Sequence, residues 1–138
     1  MKKEGYKFLE HTADIKFQAF GKTPEEVFKN SASALKEVIC DKIKVKEKKE
    51  KKIKIEAKDY ESLLYNFLEE ILYLLDAEEF LISEIEKIKI NGFKLAAGIV
   101  GDKASDYEFN NPVKAITYND MFVKKQKSRW ISQVVLDV

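Results

Sequence analysis

Two aspartates far apart in the chain, Asp14 and Asp137, are the residues best placed by type and context to do chemistry. Asp14 closes the segment His11-Thr12-Ala13-Asp14, which falls between two apolar runs where a turn is expected. Asx and Thr side chains commonly satisfy the open backbone groups of a turn, so the same residues also suit a purely structural corner. Asp137 follows the strand-like run Ile131–Leu136, a setting that disfavours aspartate. Val138 adds a terminal carboxylate beside it, so two anionic groups stand within one residue. A solvated chain end accounts for that pair on its own. If Asp14 approaches them, three carboxylates converge, and their repulsion either favours protonation or calls in a cation. A divalent ion with hard oxygen ligands resolves it.

The other reactive side chains narrow the choices. Cys40 is the only cysteine and His11 the only histidine. One cysteine makes no internal disulfide and no multi-cysteine zinc site, and one histidine makes no two-histidine metal helix. A metal here must be held mainly by oxygen, which favours Mg²⁺, Ca²⁺ or Mn²⁺. Cys40 falls near the C-terminal, negative end of a helix, where a thiolate is disfavoured, so it reads as a small buried apolar residue. There is no G-x-S-x-G elbow for a Ser–His–Asp triad and no glycine-rich phosphate loop. The chain is therefore not expected to bind a nucleotide alone.

The 138 residues suit one domain, over 1–138. Hydrophobic residues make up 45% and charged residues 36%, the balance of a globular chain with a densely charged surface. Lys and Arg total 25 against 24 Asp and Glu, which gives no global attraction to nucleic acid or an anionic membrane. Arg129 is the only arginine, so bidentate phosphate clamps are scarce. The opening MKKEGYKFLE lacks the apolar core of a signal peptide. The greasiest stretch, Ser62–Ala77, is broken by Asn66, Glu69, Glu70 and Asp76 and is too polar to span a bilayer. A cytoplasmic location follows as the default.

These candidate groups must be positioned by the elements around them. Short strands are expected at Tyr6–Leu9 and around Ile15–Ala19, where apolar and polar residues alternate. Thr23, Pro24 and Glu26 form a Thr-x-x-Glu helix start, and apolar spacing carries a helix from Pro24 to Ile39. Lys46–Lys52, KEKKEKK, reads as a solvated loop or strand edge, with phosphate docking as the rival reading. A half-buried strand follows at Ile53–Ala57, then a helix at Tyr60–Leu75 capped by Asp59. A strand over Phe80–Ile90, bulged because its apolar residues change parity, leads into Asn91-Gly92. That dipeptide predicts a type I′ hairpin to a strand over Phe93–Val100. Gly101–Pro112 reads as a polar loop carrying Asp102, Asp106 and Glu108, and two final strands turn at Gln126-Lys127-Ser128. The expected class is α+β, with two helices covering one face of a mostly antiparallel sheet.

Four segments together resemble the archease family: His11-Thr12-Ala13-Asp14-Ile15, the helix start Gly21-Lys22-Thr23, Lys114-Ala115-Ile116-Thr117-Tyr118, and the closing Val134-Val135-Leu136-Asp137-Val138. The likeness spans nearly the whole chain. It implies a small, non-catalytic activator of the GTP-dependent RNA ligase that joins tRNA halves, with tRNA met through the ligase. It also implies a metal site built from Asp14 and Asp137, with a terminal oxygen from Val138, and faster guanylylation and turnover of the ligase. Two positions depart from the family pattern. Asn119 stands where a histidine usually follows Thr-Tyr, and Gly101-Asp102 replaces a Gly-Glu pair. A small metal-dependent phosphohydrolase using His11 as base, and a general chaperone or interaction module, are the competing readings.

Overall fold

The computed structural model describes residues 5–10 and 13–138, so the expected roles of His11 and Thr12 lie outside the described residues. In chain order the elements are β1 (Tyr6–Leu9), β2 (Ile15–Gly21), α1 (Pro24–Ile39), β3 (Lys49–Glu56), α2 (Tyr60–Glu78), β4 (Phe80–Asn91), β5 (Lys94–Lys103), β6 (Ala115–Gln126) and β7 (Arg129–Asp137). A short 3-10 turn, Ala104–Asp106, follows β5.

Both helices start where the sequence signals place them. The Thr23 hydroxyl accepts the Glu26 N–H at 3.1 Å with Pro24 in the first turn. Asp59 and Ser62 form a reciprocal capping box, with the Ser62 N–H donating to the Asp59 carboxylate at 2.7 Å. The buried stripe of α1, including Phe28, Leu35 and Ile39, and that of α2, including Leu64, Phe67 and Leu68, meet in one core. Phe28 and Phe67 are fully buried with ring centroids 6.1 Å apart. Burying such a side chain contributes about 1.5–3 kcal/mol.

The α+β class and both helices match expectation, but the strands divide between two sheets. One has the order β1-β2-β7-β6 and the other β3-β5-β4, and every pairing is antiparallel. Helix α1 packs on β2 and β4, and α2 on β6, β4 and β3, so the helices bridge the two sheets. A buried hydroxyl pair, Ser31 on α1 and Ser132 on β7 at 2.8 Å, ties the first helix to the central part of its sheet.

Two local expectations change. The β4–β5 loop is Gly92-Phe93, since Asn91 pairs with Lys94. Gly92 has φ +61 while Phe93 does not share the positive φ, which is the II′ pattern rather than I′. The expected polar loop begins later, because Gly101, Asp102 and Lys103 belong to β5. Gly101 is needed there: a Cβ would collide with the Leu81 carbonyl oxygen on β4. KEKKEKK splits, with its last four residues opening β3, an edge strand, which agrees with the solvated-edge reading. The bulge expected in β4 is present, with register breaks at Ile82/Glu84 and Ile85/Lys87.

Candidate functional site

Strand β7 runs down the middle of the four-stranded sheet, with β2 on one side and β6 on the other. Its register with β2 ends at Ile15 opposite Leu136. Asp14 is the next residue on one chain segment and Asp137 the next on the other, so the two expected site residues lie at the same end of neighbouring antiparallel strands. Backbones so paired are about 5 Å apart. The Asp137 backbone is fixed from its other flank as well, opposite Ala115 and with its carbonyl accepting the Lys114 N–H at 2.7 Å. Asp14, Asp137 and Val138 are each half-buried. Ala13, just before, takes φ +68, a left-handed turn that an L-residue adopts at some cost.

Asp14 lines a cleft of about 400 Å³ with Phe8, Ile15, Glu37, Asp41, Asn110 and Asn111 among its walls. Asp137 is not among the lining residues. Two asparagines shape the wall. Asn110 accepts the Asp41 N–H at 2.8 Å, and the Asn111 side chain donates to the Val38 carbonyl at 3.0 Å, so the last turn of α1 is held against the segment before β6. Sequence reading missed Glu37, Asp41 and both asparagines. Their signal was weak: two acids near a helix end, and Asn-Asn-Pro in a loop. Glu37 also accepts the Tyr6 hydroxyl at 2.9 Å. Burial, with that bond and the Glu37 charge behind it, pushes the Tyr6 phenol up to about 12.

The oxygen donors here match the hard-ligand chemistry expected for Ca²⁺, Mg²⁺ or Mn²⁺. Among the described residues, no group of three or more His, Cys, Asp or Glu side chains is arranged to hold an ion. What the fold supplies is the approach of the two chain segments that carry Asp14 and Asp137.

The two departures from the family pattern fall in different surroundings. Asn119 is exposed in a wide bulge of β6, where residues 118–121 intervene between the Thr117–Val135 and Phe122–Gln133 pairs. Asp120 in that bulge has φ +54 and lies 3.6 Å from Lys16 across the sheet. Tyr118 leans out to stack on Tyr65 of α2 at 4.2 Å. Asp102 is a structural residue, fully buried in β5. It accepts the Lys46 N–H at 2.9 Å, the Tyr107 hydroxyl at 2.6 Å and the Lys103 N–H at 2.8 Å. Those donors, the Lys46 N–H first, hold its carboxyl down at about 2. Cys40 is buried, as its apolar reading expects, and its thiol also donates to the Glu108 carbonyl at 3.3 Å.

Residues 6–138 match the archease protein family (MTH1598/TM1083). The chain belongs to the archease family. The archease of Methanosarcina barkeri is 40% identical, covering 96% of this chain and 95% of its own. The archease of Pyrococcus abyssi is 41% identical, covering 96% and 98%. Among solved structures, Methanobacterium thermoautotrophicum protein 1598 superposes with a TM-score of 0.74 at 32% identity, covering 97% of this chain and 99% of that one. A Thermotoga maritima archease, named as a possible chaperone, gives a TM-score of 0.65 at 23% identity, covering 100% and 98%. That last likeness bears on the fold alone. Among the described residues of this archease, no helix is long and apolar enough to cross a membrane.

Proposed function

We propose that this archease is a non-catalytic, metal-binding activator of the GTP-dependent RNA ligase that joins tRNA halves, raising ligase guanylylation and turnover. The observation that carries the reading is the β2–β7 register, which brings the two aspartates of the family motif to one end of the sheet. Asp14, Asp137 and the Val138 carboxylate would hold the ion. Such an ion supplies a positive centre able to accept further oxygen ligands from a partner. The chain's own part is to carry the two aspartates at one end of the sheet, with β7 held between β2 and β6. The lack of a nucleotide-binding motif leaves the GTP chemistry to the ligase.

The test is multiple-turnover joining of tRNA halves by a cognate ligase, with and without this protein. Wild type should raise turnover. Asp137→Asn should fold normally and fail to stimulate. Full stimulation by the variant would remove the metal-centred reading. Phosphohydrolase turnover by the purified protein, lost in Asp14→Asn, would favour the enzyme reading instead.

A further inference from the structure

The outward face of the three-stranded sheet carries a feature that the metal site leaves unexplained. Its central strand, β5, presents Ala96 and Gly98 on that face, and a Cβ built on Gly98 meets nothing within 4 Å. Lysines stand in register on both sides. Lys54 on β3 and Lys89 on β4 flank Ala96; Lys52 and Lys87 flank Gly98. All four are exposed. The first rung borders a trough of about 410 Å³ lined by Lys54, Lys89 and Lys94, with Glu56 as its one acid, and Lys52 and Lys87 continue the same face beyond it. Strand spacing sets the walls roughly 9–10 Å apart and successive lysine rungs about 6.7 Å apart.

Guarding the edges of β3 and β4 accounts for lysines on those strands but not for their alignment in rungs across β5. Neighbouring lysines are neutralised: Lys48, just before β3, pairs with Glu50 and Glu86, and Lys51, next to Lys52, pairs with Glu78 of α2. Among the described residues, the four rung lysines make no ion pair. The lysines of a rung face one another across β5, at a separation where exposed like charges repel only weakly, and a polyanion in the trough would relieve that repulsion. A compact anion would satisfy one rung. Two rungs in line suit a flexible chain with charge repeated along its length, and the Ala96 and Gly98 floor, with Asn91 at one end of the trough, suits binding dominated by backbone contacts.

We infer that this trough binds the sugar-phosphate backbone of an extended single RNA strand. The choice of RNA over an acidic protein segment rests on the ligase reading above, which puts the chain beside an RNA-handling enzyme. The assay omits the ligase, so the failure of one idea is distinguishable from failure of the other. The full chain is titrated into a fluorescently labelled twelve-nucleotide oligouridylate across a salt series, read by anisotropy. Four phosphate contacts predict a slope of log affinity against log salt near −3, from about −0.7 per contact. Lys54→Gln with Lys89→Gln should halve that slope, while Lys48→Gln with Lys51→Gln should leave it unchanged. Gly98→Leu keeps every charge but fills the floor, and should weaken binding at least tenfold. Equal slopes in the two double variants, unaltered binding by Gly98→Leu, or no binding at low salt would overturn the assignment. So would polyglutamate binding through Lys54 and Lys89 in place of RNA.

Discussion

Ile15 and Leu136 face one another as the last paired residues of β2 and β7, although 121 positions separate them in the chain. The candidate metal centre depends on that pairing. Because side chains alternate along a strand, a slip of one residue would turn each aspartate to the other face. Fully buried Phe17 and Val134, paired two residues further in, oppose such a slip. Asp14→Asn and Asp137→Asn should therefore leave the fold standing, with thermal midpoints within a few degrees of wild type. Calorimetric titration with Ca²⁺ should show one site in wild type. Each variant should bind at least tenfold more weakly, a loss of about 1.4 kcal/mol. Undiminished Ca²⁺ affinity in both variants would place any ion elsewhere.

Much of this architecture was open to reading from local pattern. Thr23-Pro24 and Asp59 announced helix starts because a cap is made by neighbours in sequence. The division into two sheets was not legible, since alternation reports that a strand has one buried face and says nothing of which strand pairs with it. Asp102 was misplaced for a related reason. An aspartate after a glycine resembles a loop residue, and only tertiary structure shows the backbone donor of Lys46 reaching it across 56 positions. The Asp14–Asp137 juxtaposition came from family resemblance, and the cleft around Asp14, built by Glu37, Asp41 and Asn111, had no sequence pattern strong enough to reveal it.

The Asp102–Tyr107 contact should give the protein a pH dependence at both extremes. Asp102 sits near 2, below the ordinary carboxylate value of about 3.9. A depressed carboxyl contributes stability above its unfolded value, and that contribution is lost as pH falls from about 4 toward 2. Tyr107 runs the other way. Burial, and then its bond to Asp102, raise its phenol to about 12. Its contribution is full below the unfolded value near 10 and is lost as pH climbs toward 12. Chemical denaturation across pH should show both limbs. Tyr107→Phe should remove the alkaline loss from this residue and move the acid limb to higher pH, because Asp102 loses a donor. An alkaline limb unchanged in Tyr107→Phe would assign it to other tyrosines, such as Tyr6.

The hydroxyl pair that joins α1 to β7 predicts an asymmetry between two similar truncations. Ser31 donates to the Val27 carbonyl one turn back at 2.8 Å and also contacts Ser132, whereas the Ser132 hydroxyl has Ser31 as its bonding partner. Both residues are fully buried. Ser132→Ala leaves the Ser31 hydroxyl with a backbone acceptor, so only a net hydrogen bond is lost, about 0.5–1.5 kcal/mol. Ser31→Ala strands a buried hydroxyl on the central strand with no partner, a loss of about 1–3 kcal/mol. The double variant removes both polar groups and should recover part of the larger loss. Urea unfolding of the four proteins measures this directly. Equal destabilisation by the two single variants, with strict additivity in the double, would mean that the two hydroxyls are not coupled.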